Sequence, residues 1–378
     1  MVEQNKGSLQ GVKVVDLSRM LGGPYCTQIL GDHGADIYKV EPPVGDETRG
    51  WGPPFREGDG AASYFVGVNR NKIGLSLDLP QPAGRELLLT MLEDADVLVE
   101  NFKTGTMEKW GLYFETLHKR FQRLIHCRVT GFSADCPLGG LPGYDAAIQG
   151  MSGIMSVNGE SDADGGGPLR VGLPVEDMVT GLNAAIGILL ALQERGRSGL
   201  GQFVESAQYD CGLSLLHPHA ANFFMDGKTP KRTGNAHPNI HTYDSFKTGS
   251  DPIFLSVGND RQFETMCRHI GAEGLAADAR FASNALRSQN RAVLKTELEA
   301  KLAAFDCEPL AAALIRGGVP CAPIFDVSRA LAHPHTCHRG MLVEMQGEGG
   351  ESYRRLASPI KLSCTPSTYR LTPPHKSC

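Results

Sequence analysis

Residues 172–199 read GLPVEDMVTGLNAAIGILLALQERGRSG. Pro174 and an acidic pair open it, and a segment rich in Arg and Gly closes it. Apolar residues recur between these ends at helical spacing, namely Met178, Leu182, Ala185, Ile186, Leu189 and Leu190. The pattern predicts a long, mostly buried helix with a negatively charged first turn.

The carboxylate of Asp177, in that first turn, has two interpretations. The first N–H groups of a helix have no partner within it and the helix dipole is positive there, so Asp177 can serve simply as a cap. It can also serve as a nucleophile that the helix end holds ionised against an apolar wall. Spacing alone favours the cap, and residues outside the stretch have to decide.

Short apolar runs alternate with helical segments in the first 130 residues. Alternation of this kind implies right-handed crossovers, a parallel sheet and ligands at the carboxyl ends of the strands. The loop after the first strand lacks G-x-G-x-x-G, which disfavours a hydride-transfer enzyme. We expect an α/β fold with a doubly wound parallel-sheet large domain. The predicted strands cover 12–17, 37–41, 73–79, 97–101 and 124–129, and the main helices 24–30 and 83–94.

The later part of the chain predicts a smaller α+β domain. Its composition shifts towards Lys, Pro, Gly, Asn and His after residue 227, which indicates a domain entry. We expect a large domain at 1–200 that is completed by 330–378, a linker helix within 201–226 and a small domain at 227–329. Further predicted elements are a strand at 169–173, one helix at 209–225, paired strands at 243–247 and 253–257, helices at 261–271 and 290–305, a strand at 319–324, and a hairpin of 341–345 with 353–356.

Composition excludes several classes of function. The net charge is −5 and no basic block occurs, so we expect no nucleic-acid partner. The first residues are polar and we find no run of about 18 apolar residues, so we expect neither a signal peptide nor a membrane span. Ten cysteines without a C-x-x-C pair are typical of a reducing compartment, and we expect a cytoplasmic protein or, in a eukaryote, one of the mitochondrial matrix or peroxisome. His333, His335, Cys337 and His338 fit no zinc spacing; we expect a solvent-facing loop and no metal site.

Several stretches together resemble the family III CoA-transferases, a family that also contains the α-methylacyl-CoA racemases. In order they are GVKVVDLSRMLGGP near the start, GADIYKVEPPVGDETRGWGPPF, NRNKIGLSLDL, DVLVENF, GYDAAIQGMSG, VEDMVTG, RTGNAHPNIHTYDSFKT and VGNDRQF. The resemblance extends from about residue 8 to 372 and is greatest to the branch that includes succinyl-CoA:glutarate CoA-transferase.

The resemblance places the family's nucleophilic aspartate on Asp177. It implies a ping-pong transfer of CoA through an aspartyl anhydride and an aspartyl-CoA thioester, with succinyl-CoA as donor and a small, dicarboxylic acid as acceptor. The CoA thioester would be a substrate, with no permanently bound cofactor. It also implies a Rossmann-like CoA-binding large domain and an interlocked homodimer. The family usually continues beyond the point where this chain stops, which puts the expected C-terminal packing in doubt.

The resemblance also assigns residues to the acyl site. Gly234 and His237 match the loop that closes over the aspartate and would supply oxyanion donors, although a plain domain-entry turn is the alternative. Tyr144 matches the aromatic residue beside the acyl group, and a core tyrosine is its alternative. For the distal carboxylate of a dicarboxylic acid, charge alone suggests Arg49 or Arg19.

The CoA-binding residues are expected just after the fourth strand. The match to the family's CoA segment covers Asn101, Phe102, Lys103 and Lys109. Lys109 replaces an arginine of formyl-CoA transferase, so a bidentate phosphate contact is not expected, and a solvated surface lysine is the alternative. Arg70 and Lys72 are weaker candidates for the same ligand.

Two other functions compete with a transferase. The racemases take an α-proton with a histidine before an aspartate, and here Tyr144 precedes Asp145, so that base is missing. A catalytically silent acyl-CoA-binding protein is disfavoured by the intact Asp177. The sequence therefore favours a CoA-transferase over these two functions.

Overall fold

A six-stranded parallel sheet forms the centre of the first compact unit. The structure, a computed structural model, describes residues 7–347 and 352–376. The strands lie in the order β3-β2-β1-β4-β5-β6. All of them run parallel, but successive strands are added towards one edge of the sheet up to β3 and towards the other edge from β4 onward. Their bounds are β1 Lys13–Asp16, β2 Asp36–Glu41, β3 Lys72–Ser76, β4 Val97–Glu100, β5 Ile125–Thr130 and β6 Phe203–Ala207. The predicted parallel α/β sheet is confirmed, and the crevice outside β1 and β4 is the expected place for a ligand.

Helices flank the sheet, and a hairpin follows late in the chain. The first unit comprises Met1–Ile154, Arg170–Leu216 and His335–Cys378. The predicted hairpin is confirmed as β10 (Leu342–Gln346) paired antiparallel with β11 (Ser352–Leu356). The helices up to the end of β6 and just beyond are α1 Gly22–Asp32, α2 Ser63–Gly67, α3 Pro82–Leu92, α4 Thr106–Lys109, α5 Phe114–Arg120, α6 Asp145–Met151, α7 Ile154–Val157, α8 Val175–Ser198 and α9 Gln208–Ser214.

The long helix α8 is confirmed, but it packs through a different face from the one predicted. Its small residues face the core that the sheet and α1 form, and a Cβ at Gly181 would lie 2.5 Å from the carbonyl oxygen of Gly22. This close approach leaves no room for a larger side chain at Gly181, and most residues on that face are small. The larger apolar residues therefore lie outside, with exposed fractions of 39% to 66%: Leu182, Ile186, Leu189 and Leu190.

Helix α8 is apolar on two sides. By length and composition, α8 is able to cross a membrane, with a mean hydropathy of 1.5 over 18 residues, and no second helix in residues 7–347 and 352–376 meets that criterion. One of its faces is used inside the fold, since Ala184, Ala185, Ile188 and Ala191 pack against the sheet core. Core helices of globular proteins have this composition, so the hydropathy alone does not indicate a membrane span.

The second unit comprises Met155–Leu169 and His217–Pro334. A three-stranded antiparallel sheet, β7 (Tyr243–Phe246), β8 (Ile253–Ser256) and β9 (Cys321–Pro323), confirms the predicted strand pair. Its core combines Phe246 and Leu255 with Phe263, Leu298 and Leu314 from the surrounding helices. These helices are α10 His219–Asp226, α11 Asp260–His269, α12 Glu273–Ala277, α13 Asn284–Gln289, α14 Arg291–Leu302, α15 Cys307–Arg316 and α16 Val327–Ala332, and α17 (Pro334–His338) follows at the unit's end.

Three local predictions are wrong. Residues 169–173 form no strand, because Leu169 and Leu173 are exposed and only an isolated bridge between Gly159 and Pro168 occurs nearby. The single helix over 209–225 is two helices, α9 and α10, and Pro218 lies between them without an N–H to continue the first. The cluster His335, Cys337 and His338 lies on α17 rather than on a loop.

Candidate active site

Asp177 lies at the third position of α8, but it does not cap the helix. The capping acceptor is Asp145, at the start of α6, whose Oδ2 accepts from the backbone N–H of Glu176 at 2.9 Å and of Asp177 at 3.3 Å. The orphan donors of the first turn are therefore satisfied by another side chain. The Asp177 carboxylate is left available for other chemistry, which weakens the capping interpretation.

The Asp177 carboxylate is held from two sides. Gln208, the first residue of α9, donates from Nε2 to Asp177 Oδ1 at 2.5 Å. On the other side is the start of α1, where a Cβ at Gly22 would lie 3.6 Å from Oδ1. Helix α1 has no side-chain cap at its N-terminus, so its first N–H groups and positive dipole end are free to stabilise negative charge here.

Burial and neighbouring carboxylates keep Asp177 unusually basic. The pKa of Asp177 is raised to about 6, chiefly by burial and also by the charge of Asp145, while the Gln208 hydrogen bond opposes the rise. The adjacent Glu176 is fully buried, and this burial raises its pKa to about 7 despite a hydrogen bond from Ser152. Because its ionised form is poorly stabilised, Asp177 is a better nucleophile than a solvated aspartate, yet it is still ionised at neutral pH.

A cavity of about 430 Å³ opens over Asp177 within the first unit. Its aromatic walls are Trp51, Tyr64, Phe102 and Tyr144, and its cations are Arg19 and Lys103. Burial and the charges of Asp177 and Asp145 together raise the pKa of Tyr64 to about 12, so its hydroxyl stays protonated. The site combines a nucleophilic carboxylate, an apolar surface and cations, which suits an acyl group attached to an anionic carrier.

Three of the four residues predicted in the CoA segment line the cavity, and the fourth, Lys109, lies outside it. Asn101, Phe102 and Lys103 line the cavity just after β4. The side-chain amide of Asn101 accepts from the backbone N–H of Arg19 at 2.9 Å and donates to the backbone carbonyl of Arg19 at 2.7 Å. These two hydrogen bonds connect the segment after β4 to the loop after β1. Lys109, at the end of α4, is exposed and outside the cavity lining. Its role in CoA binding remains a prediction.

Most of the other predicted cations are held in buried ion pairs. Arg70 donates to both carboxylate oxygens of Asp32, at 2.8 and 2.5 Å, and Lys72 bonds Asp16 at 3.0 Å. Arg49 forms a bidentate pair with Glu41. These contacts account for the burial of the three cations in the fold, and none of them lines the cavity over Asp177.

Arg19 differs from these cations because it lines the cavity without a partner. Among the described residues, no carboxylate pairs with its guanidinium, and its Nε is buried without a hydrogen bond. Phe102 lies under the guanidinium at 5.7 Å. An arginine in this state is ready to bind an anionic ligand.

Of the residues assigned to the acyl site, Tyr144 lines the cavity with a 59% exposed side chain, so it is not a core tyrosine. Gly234 and His237 belong to the second unit. Gly234 has a φ of +63°, and His237 donates its N–H to the carbonyl of Tyr243 and accepts from the Asn239 N–H at Nδ1. Their part in catalysis stays a prediction.

The sequence did not predict the contact of Gln208 with Asp177 or the capping role of Asp145. A signal for Gln208 was available, since it is the polar residue directly after β6, just as Asn101 directly follows β4. Polar residues at the carboxyl ends of parallel strands gather at one edge of the sheet. The partners of Asp145 and Gln208 lie more than 30 positions away in sequence, so their contacts cannot be read from local patterns.

Known proteins match this sequence over most of their length. The family model for CoA-transferase family III matches residues 9–376. A succinate–glutarate CoA-transferase from Agrobacterium fabrum is 37% identical, with 98% of this chain and 93% of the relative covered, and a succinyl-CoA:mesaconate CoA-transferase from Haloarcula hispanica is 39% identical over 95% and 91%.

Solved structures agree with these relatives. The crystal structure of a CaiB/BaiF family protein from Brucella suis is 40% identical to this chain, has a TM-score of 0.86, and covers 98% of this chain and 96% of its own. The family match, the curated relatives and a parallel sheet with the Asp177 carboxylate in the cavity beside it all agree. This chain belongs to CoA-transferase family III and is a CoA-transferase.

Proposed function

We propose that this enzyme moves CoA from succinyl-CoA to a small dicarboxylic acid, with Asp177 as the covalent nucleophile. The observation that carries the proposal is the Asp177 carboxylate, which lines the cavity while Asp145 caps its helix. The names of the relatives support the substrate class, since they pair succinate or succinyl-CoA with glutarate and mesaconate.

The proposed cycle has four displacements, and each balances its bonds. Asp177 attacks the thioester carbonyl, the C–S bond breaks, and CoA leaves as thiolate while an aspartyl–succinyl anhydride forms. The thiolate attacks the aspartyl carbonyl and expels succinate, which leaves an aspartyl-CoA thioester. The acceptor carboxylate then displaces the thiolate to form a second anhydride. The thiolate finally attacks the acceptor's carbonyl, which forms the new acyl-CoA and frees Asp177.

The described side chains support distinct parts of this cycle. The aromatic walls give the cavity an apolar surface, which would limit hydrolysis of an anhydride once substrate fills the site. Arg19 supplies the free cation for the distal carboxylate of the dicarboxylic acid. Asn101, Phe102, Lys103 and Lys109 are proposed for CoA, and Gly234 and His237 for the oxyanion of the acyl group. Arg70 is held by Asp32 outside the cavity, so it has no place in this proposal.

The proposed active form is an interlocked homodimer. Leu182, Ile186, Leu189 and Leu190 make one exposed apolar face on α8, with Leu190 66% exposed. A contiguous apolar face of this kind is typical of a protein–protein interface. A second copy of the chain is the partner that the family resemblance implies.

Exchange of CoA between acids tests the function. The native enzyme is incubated with succinyl-CoA and glutarate, mesaconate or a monocarboxylic acid, and the CoA esters are separated by chromatography. We expect new dicarboxylyl-CoA from the native enzyme and none from Asp177→Ala. Exchange of an α-proton in heavy water without any transfer to an acid would support a racemase and contradict the proposal.

A further inference from the structure

Gln208 contacts an oxygen of the carboxylate that reacts in the proposed cycle. Its side chain follows β6 directly and is nearly buried, with 6% exposed. Nε2 donates to Asp177 Oδ1 at 2.5 Å. The contact joins residues 31 positions apart, so it is a product of the fold and not of the local helix.

The orientation of the Gln208 amide is fixed by the Asp177 carboxylate. The backbones of Gly131 and Gly143 lie against each other, and a Cβ at Gly131 would be only 2.7 Å from the Gly143 Cα. A Cβ at Gly143 would lie 3.2 Å from Gln208 Oε1. Among the described residues, Oε1 is buried without a hydrogen-bond donor. A flipped amide would set Oε1 against the Asp177 carboxylate, which can only accept, so the N–H faces Asp177.

We propose that Gln208 is the oxyanion donor for the aspartyl carbonyl of Asp177. The proposal rests on the function proposed above. When the other oxygen of Asp177 becomes bonded to an acyl group, Oδ1 becomes the carbonyl oxygen of the anhydride. Attack by the CoA thiolate on that carbonyl moves an electron pair onto Oδ1, where the N–H of Gln208 is already placed. The same holds when the acceptor carboxylate attacks the aspartyl-CoA thioester.

The contribution of Gln208 therefore differs between steps. In the first attack, Oδ1 loses negative charge, so the hydrogen bond weakens and does not accelerate that step. In the attacks on the aspartyl carbonyl, Oδ1 gains charge and the hydrogen bond strengthens, which lowers the barrier. An amide does not titrate in the working pH range, so this donor is present throughout it.

Rapid-quench mass spectrometry of the intact protein separates these steps. The enzyme is mixed with succinyl-CoA without an acceptor, and the succinyl and CoA adducts are followed in time. For Gln208→Met we expect formation of the succinyl adduct near the native rate, while formation of the CoA adduct slows by about a hundredfold to a thousandfold, the usual loss for one oxyanion donor. A CoA adduct that forms at the native rate in this variant would overturn the proposal.

A matched control is Gln149→Met. Gln149 is fully buried and donates from Nε2 to Asp145 Oδ1 at 2.6 Å, so it has the same amide–carboxylate contact without touching the reacting carboxylate. We expect Gln149→Met to lower the melting temperature but keep the native ratio of the two adduct rates. A similar change of that ratio in both variants would assign Gln208 a merely structural role.

Two further readouts keep the proposal testable if Gln208→Met folds poorly. Gln208→Leu is close to glutamine in size and lacks the amide donor without adding a charge, so the CoA adduct should again form slowly while the succinyl adduct forms near the native rate. Loss of the hydrogen bond also raises the pKa of Asp177, in a site that Asp145, Glu176 and Tyr64 share, so the acidic limb of the first step should move to higher pH. If the native enzyme forms no CoA adduct at all, the proposed function fails and not only the role of Gln208.

Discussion

Asp145 Oδ2 accepts a hydrogen bond from the backbone N–H of Glu176 at 2.9 Å, so the start of α8 is capped from α6. A helix whose own first-turn carboxylate did the capping would have that side chain directed at its backbone. Here the cap comes from a residue 31 positions earlier, and Asp177 keeps its carboxylate for the cavity. The same contact places a second negative charge beside the nucleophile, which has consequences for its pKa.

Asp145 should therefore have separable effects on reactivity and stability. The initial rate of adduct formation in the native enzyme should fall as the pH drops through about 6, where Asp177 becomes protonated. Asp145→Asn keeps an oxygen acceptor but removes the charge, so this limb should move to lower pH with a small loss of stability. Asp145→Ala should show the same movement and lose about 1 kcal/mol more in free energy of unfolding. Unchanged pH limbs in both variants would contradict the assigned electrostatics.

Glu176 should make the enzyme less stable as the pH rises. Its pKa is raised from 4.5 to about 7 in the folded protein, so the folded state binds its proton more tightly than the unfolded state. The stabilisation is complete below about pH 4.5 and is lost as the pH rises through about 7. Glu176→Gln should flatten this decline, as measured by chemical denaturation at pH 5 to 8 relative to the native enzyme. An equal decline in both proteins would show that Glu176 is not its source.

Arg19 should affect acceptor choice. Arg19→Met removes the free guanidinium of the cavity but keeps the length of the side chain, so the KM for glutarate should rise about tenfold to a hundredfold, as for a lost charged hydrogen bond. A monocarboxylic acid of the same chain length lacks the second carboxylate and serves as the internal control. An equal rise in KM for both acids would remove Arg19 from distal carboxylate recognition.

The exposed face of α8 should control assembly. Leu190→Glu places a charge on the most exposed large residue of that face, and we expect light scattering to show a shift from dimer to monomer. Leu87→Glu, on an exposed position of α3, is a suitable control with a 56% exposed side chain and should leave the mass unchanged. A native enzyme that is monomeric at micromolar concentration would contradict the proposed homodimer.

The sequence predicted β1, β2 and β4 well because these strands are short and mostly buried, and their observed bounds differ from the predicted ones by no more than one residue at either end. The position of Asn101 after β4 likewise followed from the rule for ligands in parallel sheets. The buried face of α8 was mispredicted because large apolar residues were assigned to the core. Close packing at Gly22 and Gly181 instead selects small residues, and that contact is not visible in a local pattern.

The sequence could not identify the site residues that act through partners distant along the chain. The sequence shows Asp145 only as the residue after Tyr144. Its capping of α8 could not be predicted because it depends on the packing of α6 against α8. Gln208 gives no local signal beyond its place after β6. The distinction between Arg19 and Arg49 depends on Glu41, which pairs with Arg49 and leaves Arg19 as the available cation.

The covalent role of Asp177 is tested by intact-protein mass spectrometry of the native enzyme and Asp177→Asn after incubation with succinyl-CoA. The substitution keeps the size of the side chain and removes the nucleophile. We predict a CoA adduct on the native enzyme, mapped by peptide analysis to Asp177, and none on the variant, while both still bind CoA. An adduct that persists in a folded Asp177→Asn variant, or the lack of any adduct on a native enzyme that exchanges CoA between acids, would contradict the aspartyl mechanism.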